Sequence, residues 1–156
     1  MKNKLCWILL IVIICLLCAC VPKKSNYYIF SDITECEKIY LLNDAEVTKI
    51  VDASKDGCLS NIKYDSFCGI DYSSKDVKFE LYAYVFNESS LAQQYFENVS
   101  GRKSERETNF FGSGGILYYN LVVIHHEKAY LIKTYQGDIE KVKKLISTVF
   151  TEELEF

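Results

Sequence analysis

At 156 residues, 49% hydrophobic and 14% aromatic, the chain is too rich in large apolar side chains for disorder and long enough for one domain with its own core. It carries 18 basic and 21 acidic residues; two of its lysines and none of its acids fall in the first 19 positions, so the remainder holds 16 against 21, a net of about −5. An acidic domain with no run of more than two basic residues is a poor candidate for a nucleic-acid partner.

The chain opens with Lys2 and Lys4, an apolar run from Leu5 to Leu17, and the tetrad Leu17-Cys18-Ala19-Cys20. A charged start, a short apolar core and a small residue before a cleavage point are the marks of an export signal. Leu17 at −3 and Ala19 at −1 before Cys20 resemble the lipobox of bacterial lipoproteins. That resemblance implies cleavage before Cys20, lipid on its thiol, and residence on the extracytoplasmic side of the cell membrane. It covers the signal and the tetrad and says nothing of the fold downstream. The alternative is a single uncleaved transmembrane anchor, but Leu5–Val21 gives only 17 residues before Pro22, at the short limit for a span. Residues 1–19 are thus expected as signal, 20–30 as lipidated N-terminus and tether, and 31–156 as one α+β domain.

In the domain, Tyr27–Phe30 is apolar and suits a first strand or a docking segment. Asn43 followed by Glu46 resembles a capping box, and Val47, Ile50 and Val51 share a helical face, so the pattern predicts a helix over 44–54 ended by Asp56-Gly57. Val77 to Phe86 alternates Val77, Phe79, Leu81, Ala83 and Val85 against Lys78, Glu80, Tyr82, Tyr84 and Phe86, a strand signature. A second helix is expected over 90–99, with Leu91, Ala92, Tyr95, Phe96 and Val99 as its apolar stripe and Gly101 as its stop. Strands follow at 103–111, 116–124 and 129–135. The turns between them fall at Gly112-Ser-Gly-Gly115 and His125-His-Glu-Lys128. The last helix starts at Asp138 and ends near Phe150, before the acidic tail Glu152-Glu153-Leu-Glu155. Together these predict an antiparallel sheet with three helices packed on one face, either ferredoxin-like or built from two α-plus-hairpin units.

Of seven cysteines, the lipobox resemblance implies that Cys6, Cys15 and Cys18 are lost with the signal and that Cys20 takes the lipid. Cys58 and Cys68 would close a short disulfide loop, permitted after export and worth roughly 2–3 kcal/mol; pairing of Cys36 with either is open too. No metal site is expected: Cys36, Cys58 and Cys68 form no Cys-x-x-Cys, and His125 and His126 point to opposite faces if on a strand. Gly112-Ser-Gly-Gly lacks the residues of a phosphate loop, and no nucleophile elbow occurs. No catalytic residues and no cofactor are assigned.

Aromatic content is the remaining signal. Tyr82, Tyr84 and Phe86 on one strand, with Tyr118 and Tyr130 on others, would form an interaction face if helices cover only the opposite side of the sheet. The reading that follows is a membrane-anchored, non-catalytic module binding an envelope protein or glycan. Its rivals are an envelope enzyme or enzyme accessory with a site scattered through the chain, and an assembly protein acting through Cys36, Cys58 and Cys68.

Overall fold

Apolar residues in this chain come in continuous runs as well as alternations, and the runs decide the architecture. In a computed structural model, which describes residues 26–42 and 45–154, the strands are β1 (Tyr27–Ile29), β2 (Ala45–Ile50), β3 (Ser66–Ser74), β4 (Lys78–Val85), β5 (Thr108–Gly114), β6 (Tyr118–His125), β7 (Lys128–Tyr135) and β8 (Glu152–Leu154). The α-helices among these residues are α1 (Ser89–Ser100) and α2 (Ile139–Val149), with 3₁₀ turns at Ile33–Leu41, Ala53–Asp56 and Gln136–Asp138.

Six strands form one fully antiparallel sheet in the order β2-β3-β4-β7-β6-β5. Hairpins join β3 to β4, β5 to β6 and β6 to β7, while α1 carries the chain from β4 in the middle to β5 at the far edge. β1 and β8 pair as a separate antiparallel ribbon.

Leu121–Ile124 and Ala129–Ile132 are buried at every position, which on a strand means apolar partners on both faces. One face packs Phe79, Leu81, Leu121, Val123, Tyr130 and Ile132 beneath the 33–41 turn, the β1–β8 ribbon and α2. The other packs Tyr82, Tyr84, Val122, Ile124, Ala129 and Leu131 beneath α1 and the 53–62 segment. The expected arrangement, with three helices on one side of the sheet, is therefore corrected. The fold is sheet-dominated and covered on both faces, neither ferredoxin-like nor a pair of α-plus-hairpin units.

The helix predicted over 44–54 is strand β2, paired with β3 from Ala45↔Ser74 to Ile50↔Gly69, followed by the short 3₁₀ turn. Its β-branched content (Val47, Thr48, Ile50) favours an extended backbone. Asn43 and Asp44, the expected cap, lie outside the described residues. The 3₁₀ helix that sequence patterning missed, Ile33–Leu41, starts at Asp32, whose carboxylate accepts from Thr34 N at 2.8 Å. It is anchored by the buried Cys36 and Ile39.

The strand expected over 103–111 is β5, Thr108–Gly114, and the turn expected at Gly112-Ser-Gly-Gly115 is corrected: Gly112, Ser113 and Gly114 pair with Leu121, Asn120 and Tyr119, so the chain reverses at Ile116-Leu117 instead. The two α-helices and β4 lie close to expectation. α1 ends at Gly101, whose φ of 69° suits glycine. α2 buries Ile139, Val142, Ile146 and Val149 and stops at Phe150. His126 sits in the β6–β7 turn with φ 53°, and β4 is the strand that its alternation predicted. Tyr27–Phe30 belongs to the core rather than to a tether, since Tyr27, Ile29 and Phe30 are all buried. The acidic tail is also structural: Glu152 accepts from Lys128 at 2.9 Å and meets His125 at 2.9 Å. Residues 1–25, including the expected signal, the 17-residue apolar stretch and Cys20, lie outside the described residues. Among the described residues no helix is long and apolar enough to cross a membrane.

Candidate functional site

The covering on the α1 face is partial. One cross-strand row, Ile50–Gly69–Tyr82–Leu131–Val122–Phe111, runs straight across all six strands by register and contributes to the core beneath α1 and the 53–62 segment. Two residues further along each strand, on the same face, the row reads Thr48–Asp71–Glu80–Lys133–Asn120–Ser113. None of these six is buried. Beyond them stand Lys78 on β4 and the pair Tyr118↔Tyr135. The sheet thus changes from apolar to polar in one step, where its cover ends.

A cleft of about 460 Å³ lies over this step, lined by Asp71, Lys78, Glu80, Asn120 and Lys133, with Tyr118 and Tyr135 at one side. The Tyr118 and Tyr135 rings stack on each other at 5.4 Å and 27°, and both are exposed.

The floor is held from the covered half of the same face. Lys133 Nζ lies 4.6 Å from the centre of the Tyr82 ring, donates to the Asp56 carbonyl at 2.8 Å and stands 4.0 Å from Asp56 Oδ1. Asp56 is brought onto this same face of the sheet by the 3₁₀ turn at 53–56, which Asp52 caps through Ser54 N at 2.9 Å and Gly57 closes with φ 76°. The Asp56 side chain has no exposed surface. Its Oδ2 accepts from Tyr84 Oη at 2.9 Å and Tyr95 Oη at 2.7 Å, while Oδ1 has no hydrogen-bond partner. Burial, and then the charge of Asp56, push the Tyr84 and Tyr95 hydroxyls well above the ordinary tyrosine pKa, so both remain donors. Tyr82 Oη donates to Glu80 Oε2 at 2.8 Å. Two of the cleft's charges, Glu80 and Lys133, are therefore fixed by buried partners (a preorganised pair) rather than free on the surface.

Most of the aromatic face expected from sequence does not exist. Tyr82, Tyr84 and Phe86 are 2%, 0% and 1% exposed, stacked under α1 with Tyr95. Tyr130 lies in the core on the other side of the sheet. Only Tyr118 of that set is exposed, because the sheet is covered on both faces where the aromatics are densest. The Cys58–Cys68 disulfide is likewise not formed: Cys36, Cys58 and Cys68 are all thiols. Cys58 packs with the α1-side core and Cys68 with the opposite one. Cys36 instead adjoins Cys68; hydrogen bonding between the two thiols, with burial, raises the Cys36 pKa.

His125 and His126 serve structure. Thr108 and Glu152 hold His125 at 2.7 and 2.9 Å, and Glu107 holds His126 at 2.9 Å. Among the described residues no group of three or more His, Cys, Asp or Glu is placed to hold a metal ion.

Sequence reading missed Asp56, Asp71, Glu80, Asn120 and Lys133. One signal was present: Lys133 is the only charge within Ala129–Tyr135, an otherwise buried strand, and an interrupted apolar run marks a local opening. Compared with family models, with curated proteins and with solved structures, the chain matches none.

Proposed function

We propose that the protein is a lipid-anchored, extracytoplasmic binding module whose open half-sheet takes a glycan of the cell envelope. The anchor rests on the lipobox resemblance at Leu17-Cys18-Ala19-Cys20. The ligand class rests on the cleft. An exposed tyrosine pair offers an amphipathic surface for sugar rings. Asp71, Glu80, Asn120 and Lys133 supply convergent acceptors and donors for hydroxyl and amide groups, in a volume suited to a small ligand. The carrying observation is that Glu80 and Lys133 are positioned by buried Tyr82 and Asp56. Fixing charges in advance reduces the ordering cost of binding.

Two measurements test this. Replacing Cys20 with Ser should move the protein out of the membrane fraction and abolish lipid labelling. Titrating soluble envelope-derived oligosaccharides into the protein should perturb the nuclear magnetic resonances of Tyr118, Tyr135 and Asn120, with Kd raised about tenfold or more by Tyr118→Ala. Shifts confined to other surfaces, or none at millimolar sugar, would refute the glycan reading.

A further inference from the structure

Four of the seven large hydrophobic side chains that the described residues expose, Ile116, Leu117, Tyr118 and Tyr135, gather at one rim of the sheet. Ile116 and Leu117 are the two loop residues of the β5–β6 hairpin, which Gly115 N closes on Tyr118 O at 2.9 Å. They are 96% and 65% exposed. Two-residue hairpin loops favour Asn, Asp and Gly. Neither Ile116 nor Leu117 has a positive φ, so nothing in the turn's backbone asks for these residue types. An aliphatic pair held at the tip of a closed hairpin is a wedge without a partner in the fold.

The path of the chain indicates what covers it. Ile29 pairs with Glu152, whose carboxylate meets His125 and Lys128 at the end of β6 and β7 remote from the tip. Tyr27 and Asn26 lie further back, beside Leu121, Ile132 and Lys143. β1 therefore runs away from the tip, and Asn26, its neighbour on the N-terminal side, lies nearer the Tyr118–Tyr135 end than Ile29 does. Only five residues separate Asn26 from Cys20, and a segment that short spans about 20 Å at most.

We infer that the Ile116-Leu117 tip is a second membrane contact, inserting into the outer leaflet of the bilayer that holds the lipid on Cys20. The inference rests on the lipid-anchor reading. Each aliphatic side chain taken out of water favours the seated state by about tenfold or more, and the anchor supplies the local concentration that makes so small a wedge effective. Seated in this way, the domain opens its cleft beside the headgroups.

The chain's single tryptophan, Trp7, falls within the signal, so a tryptophan placed at the tip is the sole indole of the mature protein. Lipidated full-length protein carrying Ile116→Trp, in vesicles of phosphatidylethanolamine and phosphatidylglycerol, should emit further to the blue than the detergent-free unfolded chain. It should also be quenched by brominated acyl chains. His126→Trp, in the turn at the opposite end, should stay water-like and unquenched. Equal, unquenched emission from both sites in protein that floats with the vesicles would overturn the tip contact while leaving the anchor intact. A blue-shifted Ile116→Trp that brominated lipid does not quench would also overturn it, since the tip would then be buried against protein. Flotation unchanged by Cys20→Ser would remove the anchor, and the inference with it.

Discussion

Lys133 on the floor of the cleft reaches through the sheet's polar boundary to Asp56, donating to its carbonyl at 2.8 Å and facing its fully buried carboxylate at 4.0 Å. This contact joins the open face to the core, because the other Asp56 oxygen accepts from Tyr84 and Tyr95. Removing the acid leaves two buried hydroxyls without an acceptor and Lys133 without a counter-charge. Asp56→Ala should cost about 3 kcal/mol of unfolding free energy, and Asp56→Asn, which keeps one acceptor, about 2 kcal/mol. Urea unfolding followed by circular dichroism measures both. Changes within about 0.5 kcal/mol of the parent protein, the range of ordinary surface substitutions, would show that the buried carboxylate is not a structural hub.

Glu35 gives a pH dependence. Its carboxylate accepts from Ser31 N at 3.3 Å, Ser31 Oγ at 2.7 Å, Thr151 N at 3.1 Å and Thr151 Oγ1 at 2.6 Å, tying the exit of β1 to the link between α2 and β8. Burial works against ionisation, but the hydrogen bonds from Thr151 and Ser31 outweigh it and hold the pKa below the ordinary glutamate value of 4.5. The unfolded state therefore binds its proton first as pH falls. The stabilisation is complete above the unfolded value and is lost as pH drops through the folded one. Glu35→Gln should cost about 1.5–3 kcal/mol at pH 7 and progressively less as pH falls below the ordinary glutamate value. Urea midpoints measured from pH 7 downward check this; a loss that does not change with pH would assign the effect to packing.

The thiols differ in reactivity. Cys36 and Cys68 are buried, while Cys58 is half-buried in the loop before β3. In the folded, reduced protein a thiol reagent should therefore modify Cys58 first, and reach Cys36 and Cys68 only on unfolding. Mild oxidation should join Cys36 to Cys68, because Cys58 lies on the other side of the sheet. Peptide mapping of the labelled and oxidised protein reads both outcomes, and a Cys58–Cys68 crosslink would contradict the two-faced arrangement.

What could be read from sequence was local. The alternation of Val77–Phe86, the apolar stripes of α1 and α2 and the stop at Gly101 each depend on neighbours within one or two turns. β2 was misread because Val47, Ile50 and Val51, spaced i, i+3 and i+4, match a helical face, whereas pairing with β3 is a tertiary fact. β1 and β8, at three residues each, are too short to carry a period, so Glu152–Leu154 looked like a polar tail. The cleft row was the least legible element. Asp71, Glu80, Lys133 and Asn120 become neighbours only through the registers of four strands, two of which follow a helical crossover. The aromatic face failed for a related reason: Tyr82 and Tyr84 alternate away from Leu81 and Ala83, which marks a second face but not whether water or α1 covers it.

Two glycines test that register directly. A Cβ at Gly69 would stand 2.6 Å from the Ile50 carbonyl oxygen and 2.5 Å from Phe67 Cζ. The first is backbone of the paired edge strand β2, so relief requires β2 to move. A Cβ at Gly112 would meet only the end of a side chain, Tyr119 Oη at 2.0 Å, and Tyr119 can swing aside. Overpacking typically costs about 1–3 kcal/mol, so Gly69→Ala should fall at the upper end and Gly112→Ala at the lower. Gly69→Ala should also speed hydrogen exchange at the β2 amides that pair with β3, because edge-strand pairing opens first when its partner is displaced. Equal costs, or unchanged exchange in β2, would mean that Gly69 is not the point at which β2 is seated on the sheet.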